Sequence, residues 1–104
     1  MQIYNKLVRD KIPEIISASG KTANCRILNK DEYLKALDRK LDEECAEYQS
    51  DKSVEELADI LEVIFAIAWA RGYSADELER VRTEKLNKRG GFKNRIFLES
   101  AEDR

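Results

Sequence analysis

Between Leu57 and Ala70 the chain reads LADILEVIFAIAWA, fourteen residues of which only Asp59 and Glu62 are polar. A segment apolar around its whole circumference predicts a buried helix with neighbours on several sides. The stretch ahead of it is patterned differently. Leu34, Leu37, Leu41, Glu44 and Tyr48 follow at spacings of 3, 4, 3 and 4, which is one face of an amphipathic helix. Glu44 stands on that stripe where a leucine would be expected, and Glu47 lies one turn along. Capping residues set the ends. Asn29 or Asp31 can start the first long helix, and the second runs from near Ser53 to about Arg71 with Gly72 as its stop. Ser74-Ala-Asp-Glu77 opens a further helix with a capping-box pattern. That helix carries Leu78, Val81 and Leu86 and ends at Gly90-Gly91. Upstream, Pro13 suits the first turn of a short helix over Pro13 to Ser19, closed by Gly20. Lys21 to Asn24 reads as a loop and Cys25 to Leu28 as a short extended piece. Phe92, Ile96, Phe97 and Leu98 form an apolar tail expected to pack back, with Ala101 to Arg104 frayed.

These elements predict an all-α fold in a single domain spanning 1–104. Three or four helices from one chain cover the 57–70 segment poorly, and Phe65 and Trp69 make its exposure worse. The expected remedy is a homo-oligomer, a dimer or dimer of dimers, in which helical hairpins from two chains join in a four-helix-bundle core. One proline and four glycines agree with long helices and few turns. Nineteen basic and 21 acidic residues nearly cancel, so no duplex nucleic-acid partner is expected. The chain has no histidine, which removes histidine triads, histidine general bases and histidine-ligated zinc. The 57–70 run is shorter than the roughly 20 apolar residues a bilayer span needs, so no membrane partner is expected. The opening MQIYNKLVRDKIP alternates charged and apolar residues and does not read as a signal peptide. Cys25 and Cys45, without a CxxC pattern, read as reduced packing residues in a cytoplasmic protein, with a disulfide between them as the alternative.

The acids change the picture most. Glu44 and Glu47 are three residues apart, and so are Glu56 and Asp59. On a helix that spacing puts both side chains on one face, about 5–6 Å apart at Cβ. Eight residues, Tyr48 to Glu55, connect the pairs, so two antiparallel helices face each other near the turn and bring four carboxylates together. Like charges so close repel, and buried carboxylates are costly unless paired or bound to a cation. Hard oxygen ligands select Mg²⁺, with Mn²⁺ as a substitute. Plainer readings stand beside this one. Glu56 falls three after Ser53 and can complete a capping box. Glu43 and Glu55 read as surface acids, Glu47 can pair with a lysine on its own helix, and Glu62 can either support the metal ligands from behind or meet a basic residue across a dimer. Asp59 has the weakest plain reading, because it lies inside the apolar run.

The pattern Glu43-Glu44-x-x-Glu47 followed by Glu56-x-x-Asp59 resembles the signature of the all-α nucleoside triphosphate pyrophosphohydrolase superfamily, which includes MazG-like enzymes and phosphoribosyl-ATP pyrophosphohydrolase. The opening YNKLVRDKIPEII, the central EELADILEVIFAIA and the closing KLNKRGGF look like a small MazG-like subfamily. The resemblance implies a Mg²⁺-dependent oligomeric enzyme that cleaves an α–β phosphoanhydride of a nucleotide substrate, canonical or not, to a monophosphate and pyrophosphate. It implies Glu44, Glu47, Glu56 and Asp59 as metal ligands, and it suggests that Lys85, Lys88 and Arg89 lie near phosphate. The two acidic pairs stand closer together than is usual in that group, which leaves base and sugar open.

On this reading, metal held by the acids offsets charge on the triphosphate. Glu43 or Glu47 orients the attacking water or takes its proton. Lys6, Arg9 and Lys11 cluster around Asp10. They are either a charged surface beside Leu7, Val8 and Ile12, or Arg9 and Lys11 close over the phosphates. Tyr4 or Trp69 can stack on a base, although a tryptophan there is more often core. Two alternatives stay open. One is the phosphoribosyl-ATP pyrophosphohydrolase step itself. The other is a non-catalytic helical dimer that binds nucleotide or protein.

Overall fold

The computed structural model describes all residues, 1–104, as four helices and no strand: α1 Ile12–Ala18, α2 Lys30–Asp51, α3 Val54–Ala70 and α4 Ala75–Arg89. Residues Met1–Tyr73 form one compact unit and Ser74–Arg104 a second.

Local chemistry explains the helix ends in the first unit. The Glu32 backbone N–H donates to the Asn29 side chain at 2.9 Å, and the Asn29 N–H donates to the Glu32 carboxylate at 3.3 Å. That reciprocal capping box starts α2 and makes Asn29, not Asp31, the cap. At the other end Lys52 adopts a left-handed conformation (φ 56°, ψ 24°), and its N–H donates to the Tyr48 carbonyl at 2.7 Å. The very next residue, Ser53, already caps α3 by accepting from the Glu56 N–H at 3.3 Å. Two residues therefore suffice to reverse the chain, and α2 and α3 pack as an antiparallel hairpin. Gly72 closes α3. Its φ of +92° lets the Tyr73 N–H reach the Ala68 carbonyl at 2.8 Å and its own N–H reach the Trp69 carbonyl at 3.0 Å, satisfying two carbonyls that the helix leaves open.

The core between α2 and α3 is small. Leu37 is 2% exposed, Val63 and Ala68 are buried, and the fourth buried residue is Glu44. Within one chain α3 is covered poorly, as expected: Leu57, Leu61, Phe65 and Trp69 are exposed, Trp69 by 73%. A hairpin gives α3 one neighbouring helix, and one neighbour covers one side. Trp69 is accordingly outside the core of the single chain. Cys25 and Cys45 are unpaired, as expected, but both are exposed, so neither is a packing residue. Cys25 to Leu28 forms no strand, having no second strand with which to exchange backbone hydrogen bonds. No helix is long and apolar enough to cross a membrane.

In the second unit, Ser74 caps α4 by accepting from the Glu77 N–H at 3.1 Å. Ion pairs line its exposed face, Arg80 with Glu84 at 3.0 Å and Arg82 with Glu79. Lys88 and Arg89 fall in its last turn, where cations suit the helix dipole. Phe92, Ile96, Phe97 and Leu98 do not pack back. All four are exposed, because residues 90–104 form no helix or strand whose face could be buried.

So small a core makes each part of it count. Leu37→Ala is expected to destabilise the chain by about 3 kcal/mol. Asn29→Ala removes the α2 cap at a cost of about 1 kcal/mol, and Gly72→Ala forces a side chain into the left-handed region at a similar cost of about 1 kcal/mol. Urea unfolding followed by far-ultraviolet circular dichroism checks all three.

Candidate metal centre

The hairpin brings the acids together where its two helices are closest in sequence. Carboxylate oxygens of Glu44, Glu56 and Asp59 lie within 4.8 Å of one another. Glu44 comes from α2 and the other two from the first turns of α3, so the two-residue reversal at Lys52 and Ser53 sets their register. Glu44 is 7% exposed. Its Oε1 is 3.3 Å from the Lys40 ammonium one turn earlier on α2. Its Oε2 is buried without any hydrogen-bond partner, and so is Oε2 of Glu56. Glu56 does not complete a capping box: Ser53 accepts from its backbone N–H, but its side chain makes no return bond to the Ser53 N–H and joins the cluster instead.

Glu47 stands at the rim. It is exposed, forms no ion pair with a lysine of α2, and lies outside the trio, yet it is near enough to add to the negative field on both Glu44 and Glu56. Glu43 is not a free surface acid. It is half-buried, with Oε1 3.3 Å from Lys6 and 3.4 Å from Lys40. Glu55 is exposed, as expected.

Burial raises the pKa of Glu44 above the usual glutamate value, and the charges of Glu47 and Asp59 push the same way, while Lys40 pulls it back. Burial also raises Glu56, followed by the charge of Glu47 and a hydrogen bond shared with its carboxylate, then by the charges of Asp59 and Glu44, with no cation opposing. The Asp59 carboxylate is held differently: Arg9 Nη2 is 2.6 Å from its Oδ1, across 50 positions of sequence.

Beside the trio runs a groove of about 400 Å³. Leu37, Val63 and Ala66 give it an apolar floor; Arg9, Lys11 and Lys40 supply positive charge, and Glu44, Asp59 and Glu62 negative charge. Of the basic residues picked out in the sequence, Arg9 and Lys11 therefore reach this groove. Lys85, Lys88 and Arg89 are exposed on α4, in the second unit. Tyr4 is exposed in the N-terminal segment. Sequence reasoning missed Lys40, although the signal was present: it precedes Glu43 and Glu44 by three and four residues, the spacing of helical ion pairs.

A carboxyl group whose folded-state pKa is raised stabilises the fold below its unfolded pKa and loses that contribution as pH rises through the folded value. Glu56 should therefore weaken the metal-free fold increasingly from about its ordinary value of 4.5 upward. Glu56→Gln, which does not titrate, is expected to melt higher than the parent at neutral pH in EDTA, with the gap closing as pH falls toward 4.5. Melting curves across that range check the sign; a gap that widens on acidification would contradict it.

No protein-family model and no solved structure matches the chain. An uncharacterized protein of Mycolicibacterium smegmatis (strain ATCC 700084 / mc(2)155) is 60% identical to it over 45 residues, 43% of this chain and 46% of that protein. The chain thus aligns with less than half the length of this relative.

Proposed function

We propose that this chain is a Mg²⁺-dependent nucleotide pyrophosphohydrolase of MazG-like type, cleaving the α–β phosphoanhydride of a nucleoside triphosphate to the monophosphate and pyrophosphate. One observation carries the proposal. Two buried carboxylate oxygens, on Glu44 and Glu56, lack any hydrogen-bond partner, and the carboxylates of these two residues cluster with that of Asp59. A protein interior does not ordinarily tolerate such atoms without hydrogen bonds or a cation. The donor set is all oxygen and all anionic, which suits a hard divalent ion, so the residues fit Mg²⁺ or Mn²⁺. Glu44, Glu56 and Asp59 would hold it, with Glu47 completing the set from the rim. When bound, the ion neutralises phosphate charge and acts as a Lewis acid on the reacting phosphoryl group.

The chain's own residues do the rest. Arg9, Lys11 and Lys40 line the same groove and can bind phosphate oxygens, the arginine through its two-pronged fork. Their charge stabilises the pyrophosphate that leaves as the α–β bridging P–O bond breaks. Water supplies the oxygen that forms the new bond to the α phosphorus, and a carboxylate takes its proton. Of the two acids considered for this role, Glu47 is the freer, since Glu43 is engaged by Lys6 and Lys40. The apolar floor of Leu37, Val63 and Ala66 suits a base or sugar.

Assembly belongs to the same proposal. The exposed stripe Leu57, Leu61, Phe65 and Trp69 recurs every four residues on α3, and a second copy of the hairpin would cover it in a four-helix core. Two unpaired cysteines suit a reducing, cytoplasmic setting.

With Mg²⁺ and a panel of canonical and modified triphosphates, the chain is expected to release pyrophosphate in one step, without prior release of single phosphates. Glu44→Gln should lower turnover by about two orders of magnitude or more with the fold retained, whereas Glu55→Gln, outside the cluster, should act like the parent. Exclusive use of phosphoribosyl-ATP would narrow the substrate. Sedimentation should give a dimer or larger; a stable monomer at micromolar concentration contradicts the assembly.

A further inference from the structure

The same guanidinium that lines the groove also holds one acid of the trio. Arg9 Nη2 lies 2.6 Å from Asp59 Oδ1, and Lys6 Nζ lies 3.3 Å from Glu43 Oε1. The N-terminal segment, which has no regular structure before α1, is thereby strapped to α3 through Arg9 and to α2 through Lys6. Leu7 and Val8, between the two cations, are half-buried and line the groove. The strap sits over the place that a cation and a polyphosphate would share.

Resting on the reading of the trio as a metal centre, we propose that Arg9 is an exchangeable counter-cation: it neutralises Asp59 in the metal-free protein, a divalent ion displaces it, and the freed guanidinium then takes the phosphates of the substrate. Metal binding thus builds the anion site, and the two ligands bind in that order. Three facts carry this. First, Arg9 contacts Asp59 alone of the trio, while one buried oxygen each of Glu44 and Glu56 has no hydrogen-bond partner. A divalent ion entering there would face a guanidinium of like charge already on its third ligand. Second, the Arg9–Asp59 pair is accessible, with the arginine side chain 56% exposed, and exposed ion pairs are weak and easily exchanged. Lys40 is the contrast: largely buried and tied to both Glu43 and Glu44, it is placed to stay. Third, Arg9 already lies in the groove with Lys11 and Lys40, so its release needs a turn of the side chain and no refolding. A guanidinium also loses less by leaving a carboxylate for a phosphate than an ammonium would, because its fork matches both.

The exchange gives Arg9 two effects of opposite sign, which neither a structural role nor a simple phosphate ligand would produce. As a competitor it weakens the metal; as a ligand it strengthens the anion. Binding of Mn²⁺ alone to the full chain is measured by the loss of its free-ion paramagnetic signal, without nucleotide. Binding of inorganic pyrophosphate is measured by calorimetry at saturating Mg²⁺. Arg9→Gln is expected to tighten Mn²⁺ by about two- to fivefold and to weaken pyrophosphate by about tenfold. Arg39→Gln removes the same charge from an exposed position of α2 that forms no ion pair, and it corrects for the general field. Arg9→Lys, which keeps the charge, should shift both affinities less than Arg9→Gln does. Mn²⁺ affinity in Arg9→Gln equal to or below that of Arg39→Gln overturns the exchange, as does unchanged pyrophosphate affinity. If the parent chain itself takes up no Mn²⁺, the metal centre fails before any substitution is compared, and the exchange falls with it.

Discussion

Glu44 replaces a leucine on the face that α2 turns toward α3, and the cost of removing its charge from water shapes everything around it. One oxygen is held by Lys40, a turn away on the same helix. The other is buried without a hydrogen-bond partner, and the carboxylate clusters with those of Glu56 and Asp59 on α3. A hairpin built only for stability would fill this position with an aliphatic side chain. The buried apolar residues here are three, Leu37, Val63 and Ala68, and they must hold the helices together against the repulsion at the acidic end.

The answer to that repulsion is distributed. Lys40 serves Glu44 and Glu43 together, Lys6 adds to Glu43, and Arg9 serves Asp59. Glu56 is left without a cation, and burial with three neighbouring acids raises its proton affinity. The protein compensates its acids partly within α2 and partly through the N-terminal segment, so the hairpin alone is electrostatically unfinished. That is why residues 6–11, which have almost no regular structure, belong to the site as much as the helices do.

Much of this was legible in the sequence, for identifiable reasons. The 3-4-3-4 spacing placed Glu44 on a buried face because helix periodicity is strict. Ser53 and Gly72 placed helix ends, and Asn29 was one of two candidates for a third, because caps are local chemistry that neighbours rarely override. The convergence of Glu44, Glu56 and Asp59 followed from two such facts and a short link. The tertiary contacts were beyond its reach. Nothing local says that Arg9 crosses 50 positions to reach Asp59, or that Glu43 is claimed by two lysines. The apolar tail at Phe92 to Leu98 shows the same limit, since hydrophobicity gives a tendency to be buried without supplying a surface to be buried against. Glu47 falls between these cases: the spacing put it on the right face, and one turn of helix left it at the rim.

The link at Lys52 and Ser53 has a consequence for how such a chain can change through time. Each residue added to a helix rotates the remainder of the chain by about 100°, and a two-residue reversal with one residue in the left-handed region has no slack to absorb it. The acids of α2 and α3 are thus in phase only at this length of connection. Substitutions can drift through the exposed faces of both helices, but insertions and deletions at the turn cannot be neutral. In descendants of this sequence the turn's length should be inherited more faithfully than its residues, which is the reverse of what an ordinary surface loop allows.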